Sequence, residues 1–264
     1  MTFAMARMMP AYSNAQPTYS EWLAAQGYLV ALRLRETGET TTPANAGTLA
    51  GLTITWIPGT GAVGQTDSMG ANEAYSFDGA NSRITIAANA TLAALTTQKL
   101  GFLVKIDTLG EGSIAHLWSV QSGACGSNQN YLLVQATNKL AASIDSNGGT
   151  DAAAISNNNT ISDVIGSGNY AAIFADFDDT NALGFGRKIR LHKGVGGVLT
   201  KLALGTDTAL TATVRAMSAL NFAIGNNFAA SYTLNGGMGE FIWDDSLWSD
   251  AEMLAAMDYW GVGE

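Results

Sequence analysis

Short runs of alternating apolar and polar residues, separated by turns rich in glycine, asparagine and aspartate, recur along most of this 264-residue chain. Residues 75–78 and 83–86 flank one such turn, and residues 131–135 and 139–144 flank another. A period of two places successive side chains on opposite faces of a strand. No helix-length spacing of the kind that joins parallel strands separates these runs. The pattern predicts an all-β fold, an antiparallel sandwich or barrel.

Helical signals occur only at the two ends of the chain. Thr18 and Glu21 have the spacing of a capping box, and Gly27 follows where a helix would end. Ser249 and Glu252 repeat the capping-box spacing near the C-terminus. The apolar residues that then recur at helical spacing are Met253, Leu254, Met257 and Trp260. We therefore expect one short helix at each end of a β domain.

The composition of residues 1–27 differs from that of the rest of the chain. We interpret 1–27 as an N-terminal anchoring arm with a short helix, and 28–264 as one β-sandwich domain. Methionine is an adaptable docking side chain, and the alternative is a disordered start. The residues assigned to docking on a neighbouring subunit are Met5, Met8, Met9, Tyr12 and Trp22. Because Arg7 interrupts the apolar start and Pro10 ends it, we expect no signal peptide.

Charge excludes several classes of partner. Only 13% of the residues are charged, the net charge is −9, and no run of lysine or arginine occurs. We therefore expect no binding to nucleic acid or to an anionic membrane surface. No apolar stretch reaches the roughly 18 residues of a membrane-spanning helix. Cys125 is the single cysteine, which rules out an internal disulfide and fits folding in a reducing cytoplasm.

Several segments, in order, resemble one known family. Residues 75–86 resemble an "FDG…N…V.I" hairpin, and residues 170–198 resemble a strand-turn-strand unit. Residues 223–227, 235–243 and 247–253 together resemble a closing "IG…fnG.idev.iyn..Ls..ei" pattern. This sequence is similar to the laminin G-like domains of the concanavalin A-like lectin/glucanase superfamily. The resemblance implies a jelly-roll β-sandwich, of the kind also found in bacteriophage virion proteins.

Two functions follow from the resemblance. The first is a virion structural or accessory protein, a capsid decoration or tail-associated protein, made in the host cytoplasm, whose partners are other virion proteins or copies of itself. The second is a lectin-like adhesin for host surface glycans. Aromatic faces and amides suit sugars, and the predicted glycan-binding residues are Tyr232, Asn226, Asn227 and Asn235. We expect Trp118 and Trp243 in the core, and Trp248 and Trp260 holding the last helix.

Catalysis and metal binding have weaker signals. A retaining glycosidase needs two carboxylates about 5 Å apart, and no glutamate here has the Glu-x-Asp-x-x-Glu pattern of this fold's hydrolases. His116 and His192 are scattered and have no partner motif. We expect a protein that is not an enzyme, with a glycoside hydrolase as the third alternative. The oxygen-bearing residues of the candidate calcium site are Asp176, Asp178, Asp179 and Asn181, with a solvated turn as the alternative.

Overall fold

The computed structural model describes residues 17–34, 42–59, 66–69, 72–109, 114–120, 130–215, 221–226 and 232–262. Three helices occur among them: α1 (Tyr19–Gln26), α2 (Ala90–Ala93) and α3 (Asp250–Trp260). The strands, in chain order, are β1 (Val30–Arg33), β2 (Ile54–Ile57), β3 (Thr66–Met69), β4 (Asn72–Asp78), β5 (Arg83–Ile86), β6 (Gln98–Thr108), β7 (Ala115–Val120), β8 (Tyr131–Gln135), β9 (Lys139–Ile144), β10 (Ala152–Ser156), β11 (Ala171–Phe177), β12 (Ile189–Val195), β13 (Val198–Lys201), β14 (Leu204–Thr208), β15 (Phe222–Ile224) and β16 (Asn235–Asp244).

These strands form two antiparallel sheets. Sheet A has the order β13-β12-β11-β6-β16-β4-β3, and β1 also pairs with β16. Sheet B has the order β14-β10-β9-β8-β7-β15-β5-β2. The two sheets pack face to face, which confirms the predicted antiparallel β-sandwich with a short helix near each end.

Apolar residues from the inner faces of both sheets form the main core. Trp118 of sheet B contacts Trp243 of sheet A with ring centroids 5.3 Å apart, and Phe222 lies 4.8 Å from Trp243. These arrangements are the edge-on contacts that aromatic pairs prefer. The predicted core positions of Trp118 and Trp243 are confirmed.

A second core lies on the outer face of sheet A, beneath α1 and α3. Trp248 and Trp260 are buried there against Phe174 of β11, at 5.0 and 5.5 Å between ring centroids. The close approach requires Gly101 of β6, since a Cβ at that position would come within 2.7 Å of the Trp248 ring. The predicted anchoring of the last helix by Trp248 and Trp260 is confirmed.

Trp22 belongs to the same second core. It is buried on α1 and packs against Tyr28 and Tyr259, with ring centroids 5.7 and 5.1 Å apart. The side chain assigned to docking on a neighbouring subunit therefore packs inside its own chain. The other residues assigned to docking, Met5, Met8, Met9 and Tyr12, lie outside the described residues, as does Cys125.

The two capping boxes have different outcomes. Thr18 accepts a hydrogen bond from the backbone N–H of Glu21, and the Glu21 carboxylate accepts one from the backbone N–H of Thr18, as predicted. Ser249 caps α3 by accepting from the backbone N–H of Glu252, but the Glu252 carboxylate does not return the bond. It accepts instead from the hydroxyl of Tyr28 at 2.8 Å. The second capping box is therefore only half formed.

Glu252 is drawn away because a buried cation lies beneath α3. Lys99 of β6 is 3% exposed, and its Nζ lies 2.6 Å from Glu252 and 3.7 Å from Asp244. The same Nζ lies 4.8 Å from the ring centroids of both Tyr28 and Trp248. A buried ammonium needs such partners, so the ion pairs fix α3 on this face.

Five strands, β2, β3, β10, β13 and β14, were not predicted. The segment of β10, Ala-Ala-Ala-Ile-Ser, is dominated by alanine, which is depleted in strands. It forms a strand because both neighbours, β9 and β14, pair with it.

Among the described residues, no helix has the length and apolar character needed to cross a bilayer.

Replacing Trp248 with alanine is expected to lower the free energy of unfolding by about 3–5 kcal/mol, because the change empties the centre of the second core and removes a hydrogen bond to the Leu100 carbonyl. The matched control is Leu254→Ala on the exposed side of α3, for which we expect a change within about 1 kcal/mol. Urea unfolding measures both. Equal losses in the two variants would contradict the docking of α3 described here.

Candidate functional site

The outer faces of the two sheets differ in how they are covered. Helices α1 and α3 pack on the outer face of sheet A, whereas α2 joins the main core. None of the described helices covers the outer face of sheet B, which we call the B face. Much of the B face is nevertheless buried, including Ser119, Ala141 and Ser143. A ligand therefore has room only at its partly exposed residues, which include Tyr131 and Ala153.

Strand register places a row of side chains across the B face near one end of its strands. Tyr131 of β8 is paired with Ser143 of β9, and Ser143 is paired with Ala153 of β10. On the other side, Tyr131 is paired with Ser119 of β7. Because their neighbours Leu132 and Ala142 point into the main core, these residues point outward. Ser119 and Ser143 are buried, whereas Tyr131 and Ala153 of the same row are partly exposed.

Three rings form what we call the aromatic cluster: His116, Tyr131 and Tyr232. The imidazole of His116 stacks on Tyr232 with ring centroids 5.7 Å apart and planes inclined by 22°. Tyr131 meets the imidazole edge-on at 6.2 Å. The backbone N–H of His116 donates to the Tyr232 carbonyl at 3.0 Å, which ties the loop before β16 to β7. Both tyrosines are half-buried, so part of each ring is open to solvent.

A β-bulge positions His116 on the B face. The register of β7 against β8 shifts between His116 and Trp118, so that Leu117 and Trp118 both reach the main core. A bulge inserts one extra residue and redirects the side chains around it. His116 therefore points outward while Trp118, two residues later, points inward.

The imidazole of His116 is 5% exposed, and no described residue forms a hydrogen bond with its Nδ1. Burial lowers the pKa of His116 to about 4, because the charged imidazolium would lose its hydration. The ring is therefore neutral at physiological pH. It acts as a flat, uncharged support for Tyr232.

A polar group adjoins Tyr131 at one end of the B face. Asp145 lies two residues beyond Ser143, and its Oδ2 is 2.7 Å from Nε of Arg215. Asp151 accepts from the backbone N–H of Ser146 at 2.8 Å. Burial, opposed by the Arg215 guanidinium, raises the pKa of Asp145, and the Asp151 carboxylate adds to the rise. Burial raises the pKa of Tyr131, and the negative charge of Asp151 adds to the rise.

Amide and hydroxyl groups surround a shallow depression at the other end of the B face. Its volume is about 550 Å³. Its lining includes Gln135, Lys139, Asn157, Asn158 and Thr206. From Asp145 to these amides, the face offers aromatic rings flanked by hydrogen-bonding groups on both sides. This combination suits a polyhydroxylated ligand.

The predicted glycan-binding residues are not brought together. Tyr232 lies in the aromatic cluster, whereas Asn226 is fully buried and cannot reach a solute from its position. Asn235 lies at the start of β16, where its side chain donates to the Thr108 hydroxyl at 2.7 Å. Asn227 lies outside the described residues. Of Tyr232, Asn226 and Asn235, only Tyr232 lies on the B face.

The carboxylates of the candidate calcium site have other partners. Arg190 donates to both carboxylate oxygens of Asp176, which also accepts from the backbone N–H of Trp248. Asp179 is paired with Arg187. The guanidinium groups occupy both carboxylate oxygens of Asp176 and one oxygen of Asp179.

The remaining two candidates cap a loop. Asp178 is buried and accepts from the hydroxyl of Thr180 and the backbone N–H of Leu183, both at 2.9 Å. Against the effect of burial, these bonds lower the pKa of Asp178. Asn181 accepts from the backbone N–H of Gly186. Within the described ranges, no three His, Cys, Asp or Glu side chains are placed to hold a metal, so the predicted calcium ligands do not form one site.

Sequence reasoning missed His116 and the polar group of Asp145, Asp151 and Arg215. Tyr131 is not among the predicted glycan-binding residues. The period-two pattern of β8 and β9 assigns Tyr131 and Ser143 to one face, and this signal was available. The bulge in β7 leaves no sequence signal, so the position of His116 was not available.

Comparison of the sequence with protein-family models and with curated proteins found no match. Among solved structures, domain 4 of AbnA, an extracellular arabinanase from Geobacillus stearothermophilus in complex with arabinotriose, is similar with a TM-score of 0.51. It is 13% identical, and the match covers 86% of this chain and 97% of that domain. The binding domain of botulinum neurotoxin DC, solved with SialylT, is similar with a TM-score of 0.51. It is 10% identical, and the match covers 89% of this chain and 52% of that one.

A third similar structure is the Ruminococcus gnavus IT-sialidase CBM40 bound to α2,3-sialyllactose. It is 16% identical with a TM-score of 0.48, and the match covers 69% of this chain and 95% of that one. At these identities, the likeness to the arabinanase and neurotoxin domains establishes the β-sandwich fold alone.

Lowering the pH is expected to destabilise the protein through His116. The unfolded side chain has a pKa of about 6.5, so between pH 6.5 and 4 the unfolded chain binds a proton that folded His116 does not. Stability therefore falls as the pH falls through this window, by about 2–3 kcal/mol at pH 4.5. The variant His116→Phe keeps a ring but loses this contribution.

The measurement is the free energy of unfolding of wild type and His116→Phe at pH 7 and pH 4.5. The contribution of His192, whose pKa burial also lowers to about 4, is common to both proteins and cancels. The wild type should lose more stability than the variant on acidification. Equal losses would show that folded His116 titrates normally.

Calcium is expected to leave the melting temperature unchanged. A cation that bound the folded state would raise it by mass action, but Asp176 and Asp179 are already paired with arginine. Thermal unfolding in millimolar calcium chloride and in chelator gives the comparison. A rise in melting temperature that is lost on chelation would restore the calcium site.

Proposed function

We propose that this chain is a non-enzymatic glycan-binding domain whose ligand lies on the B face against Tyr131 and Tyr232. The observation that carries the proposal is the aromatic cluster, whose two tyrosines are partly exposed on the sheet face that no described helix covers. Tyrosine rings stack on the apolar faces of sugars, and neighbouring polar groups take their hydroxyls.

The comparisons support a binding role. The similar domain of the arabinanase was solved with arabinotriose, and the neurotoxin domain was solved with SialylT. A shared sandwich does not fix function, so the weight of the proposal rests on the side chains of the B face.

A hydrolytic role is the alternative that the carboxylates Asp145 and Asp151 raise. A glycosidase needs one carboxyl group free to donate a proton and another to attack or to activate water. Asp145 is 4% exposed and is paired with Arg215 at 2.7 Å, which leaves it poorly placed to reach a glycosidic bond. We therefore assign these residues to binding, and release of reducing sugar from oligosaccharides by the purified protein would overturn the assignment.

The virion hypothesis is compatible with glycan binding, since an adhesin can be part of a particle. It stays a prediction from the sequence resemblance. Met5, Met8, Met9 and Tyr12 lie outside the described residues, and Trp22 supports the second core of its own chain.

Changing Tyr131 or Tyr232 to alanine is expected to weaken glycan binding by about tenfold or more, because each change removes a stacking ring. The matched control is Phe185→Ala, a half-buried aromatic in the loop before β12, which contacts Arg190 away from the B face. A broad glycan array identifies binders, and calorimetry with the strongest of them gives the affinities. Unchanged affinity in both tyrosine variants, or a blank array for the wild type, would contradict the proposal.

A further inference from the structure

Fixed negative charge lies beside the aromatic cluster. Ser143 and Ala153 belong to the row that contains Tyr131. Asp145 lies two residues after Ser143, and Asp151 lies two residues before Ala153. Two residues along a strand span about 7 Å, so a ligand that extends from Tyr131 over Ser143 to Ala153 passes within about that distance of both carboxylates. The Debye length at physiological salt is about 8 Å, so the solvent does not fully screen these charges from a bound ligand.

Arg215 does not cancel both carboxylates. Its Nε lies 2.7 Å from Asp145, and it also donates to the Ser146 carbonyl at 3.2 Å. Among the described residues, no lysine, arginine or histidine forms an ion pair with Asp151. Two carboxylates and one guanidinium leave this end of the B face with one net negative charge.

Asp151 is also equipped to accept from a ligand. Its Oδ1 accepts from the backbone N–H of Ser146 at 2.8 Å, its carboxyl group also contacts that of Asp145, and the side chain is half-buried. A carboxylate oxygen is a strong acceptor for a sugar hydroxyl and a repulsive neighbour for a sugar carboxylate.

The geometry points to a ligand class: the B face selects uncharged glycans over acidic ones, and Asp151 sets this preference. The inference rests on the proposed glycan-binding function. A domain that binds sialylated or uronic sugars would be expected to place a free cation beside the aromatic rings, to pair with the sugar carboxylate. The preference inferred here is the opposite one.

The test uses two pairs of oligosaccharides that differ by one acidic sugar, lactose with 3′-sialyllactose and a neutral array binder with its sialylated form. At physiological salt the wild type should bind the neutral member about tenfold more tightly, because a like charge is brought close to Asp151. In 1 M sodium chloride, where the Debye length is about 3 Å, the preference should narrow.

The variant Asp151→Asn removes the charge and keeps an oxygen that can accept from the Ser146 N–H. It should reduce the preference to about twofold or less. The matched control, Asp258→Asn, makes the same change of charge on the exposed side of α3 and should leave the preference intact.

The outcomes separate this inference from the proposed function. If the wild type bound the acidic member as tightly as the neutral one or more tightly, the charge preference would be overturned. If Tyr131→Ala also abolished that binding, glycan binding on the B face would stand. The same preference in Asp151→Asn as in the wild type would overturn the role of Asp151. Failure of every glycan to bind would overturn both.

Discussion

The burial of one cation, Lys99, organises the outer side of sheet A. Its ammonium group lies between the rings of Tyr28 and Trp248 and is neutralised by Glu252 and Asp244. Since a buried charge without partners is strongly destabilising, the chain can tolerate Lys99 at this position only with α3 docked above it. Glu252 gives up the second half of its capping box for this contact, which shows where the stronger interaction lies.

Docking of α3 decides which face remains for a ligand. A sandwich has two outer faces, and here the two larger helices and four tryptophan and tyrosine side chains close one of them. On the outer face of sheet B, Tyr131 and Tyr232 are partly exposed, whereas the serines paired with Tyr131 are buried. The bulge in β7 adds the neutral imidazole of His116 behind Tyr232. The proposed binding surface is thereby on the side of the molecule that does not contribute to helix packing.

The fold was largely predictable because its determinants are local. Alternation identified β8 and β9, capping residues identified α1 and α3, and the large aromatic residues in strands identified the core. Strand β10 was missed because its alanine-rich segment depends on its neighbours for strand structure. The site was much less predictable. Tyr232 was found from its ring, but the burial of Asn226 and the pairing of Asp176 with Arg190 depend on contacts between residues distant in sequence.

The location of a bound glycan tests the account most directly. Backbone amide and aromatic chemical shifts, followed while an oligosaccharide identified on the array is added, report which surface is contacted. The account predicts saturable changes at Tyr131, Ser143 and Tyr232, with α3 unaffected. Saturable changes confined to the loop around Phe185, or to the helices over sheet A, would contradict the assignment of the B face as the binding surface.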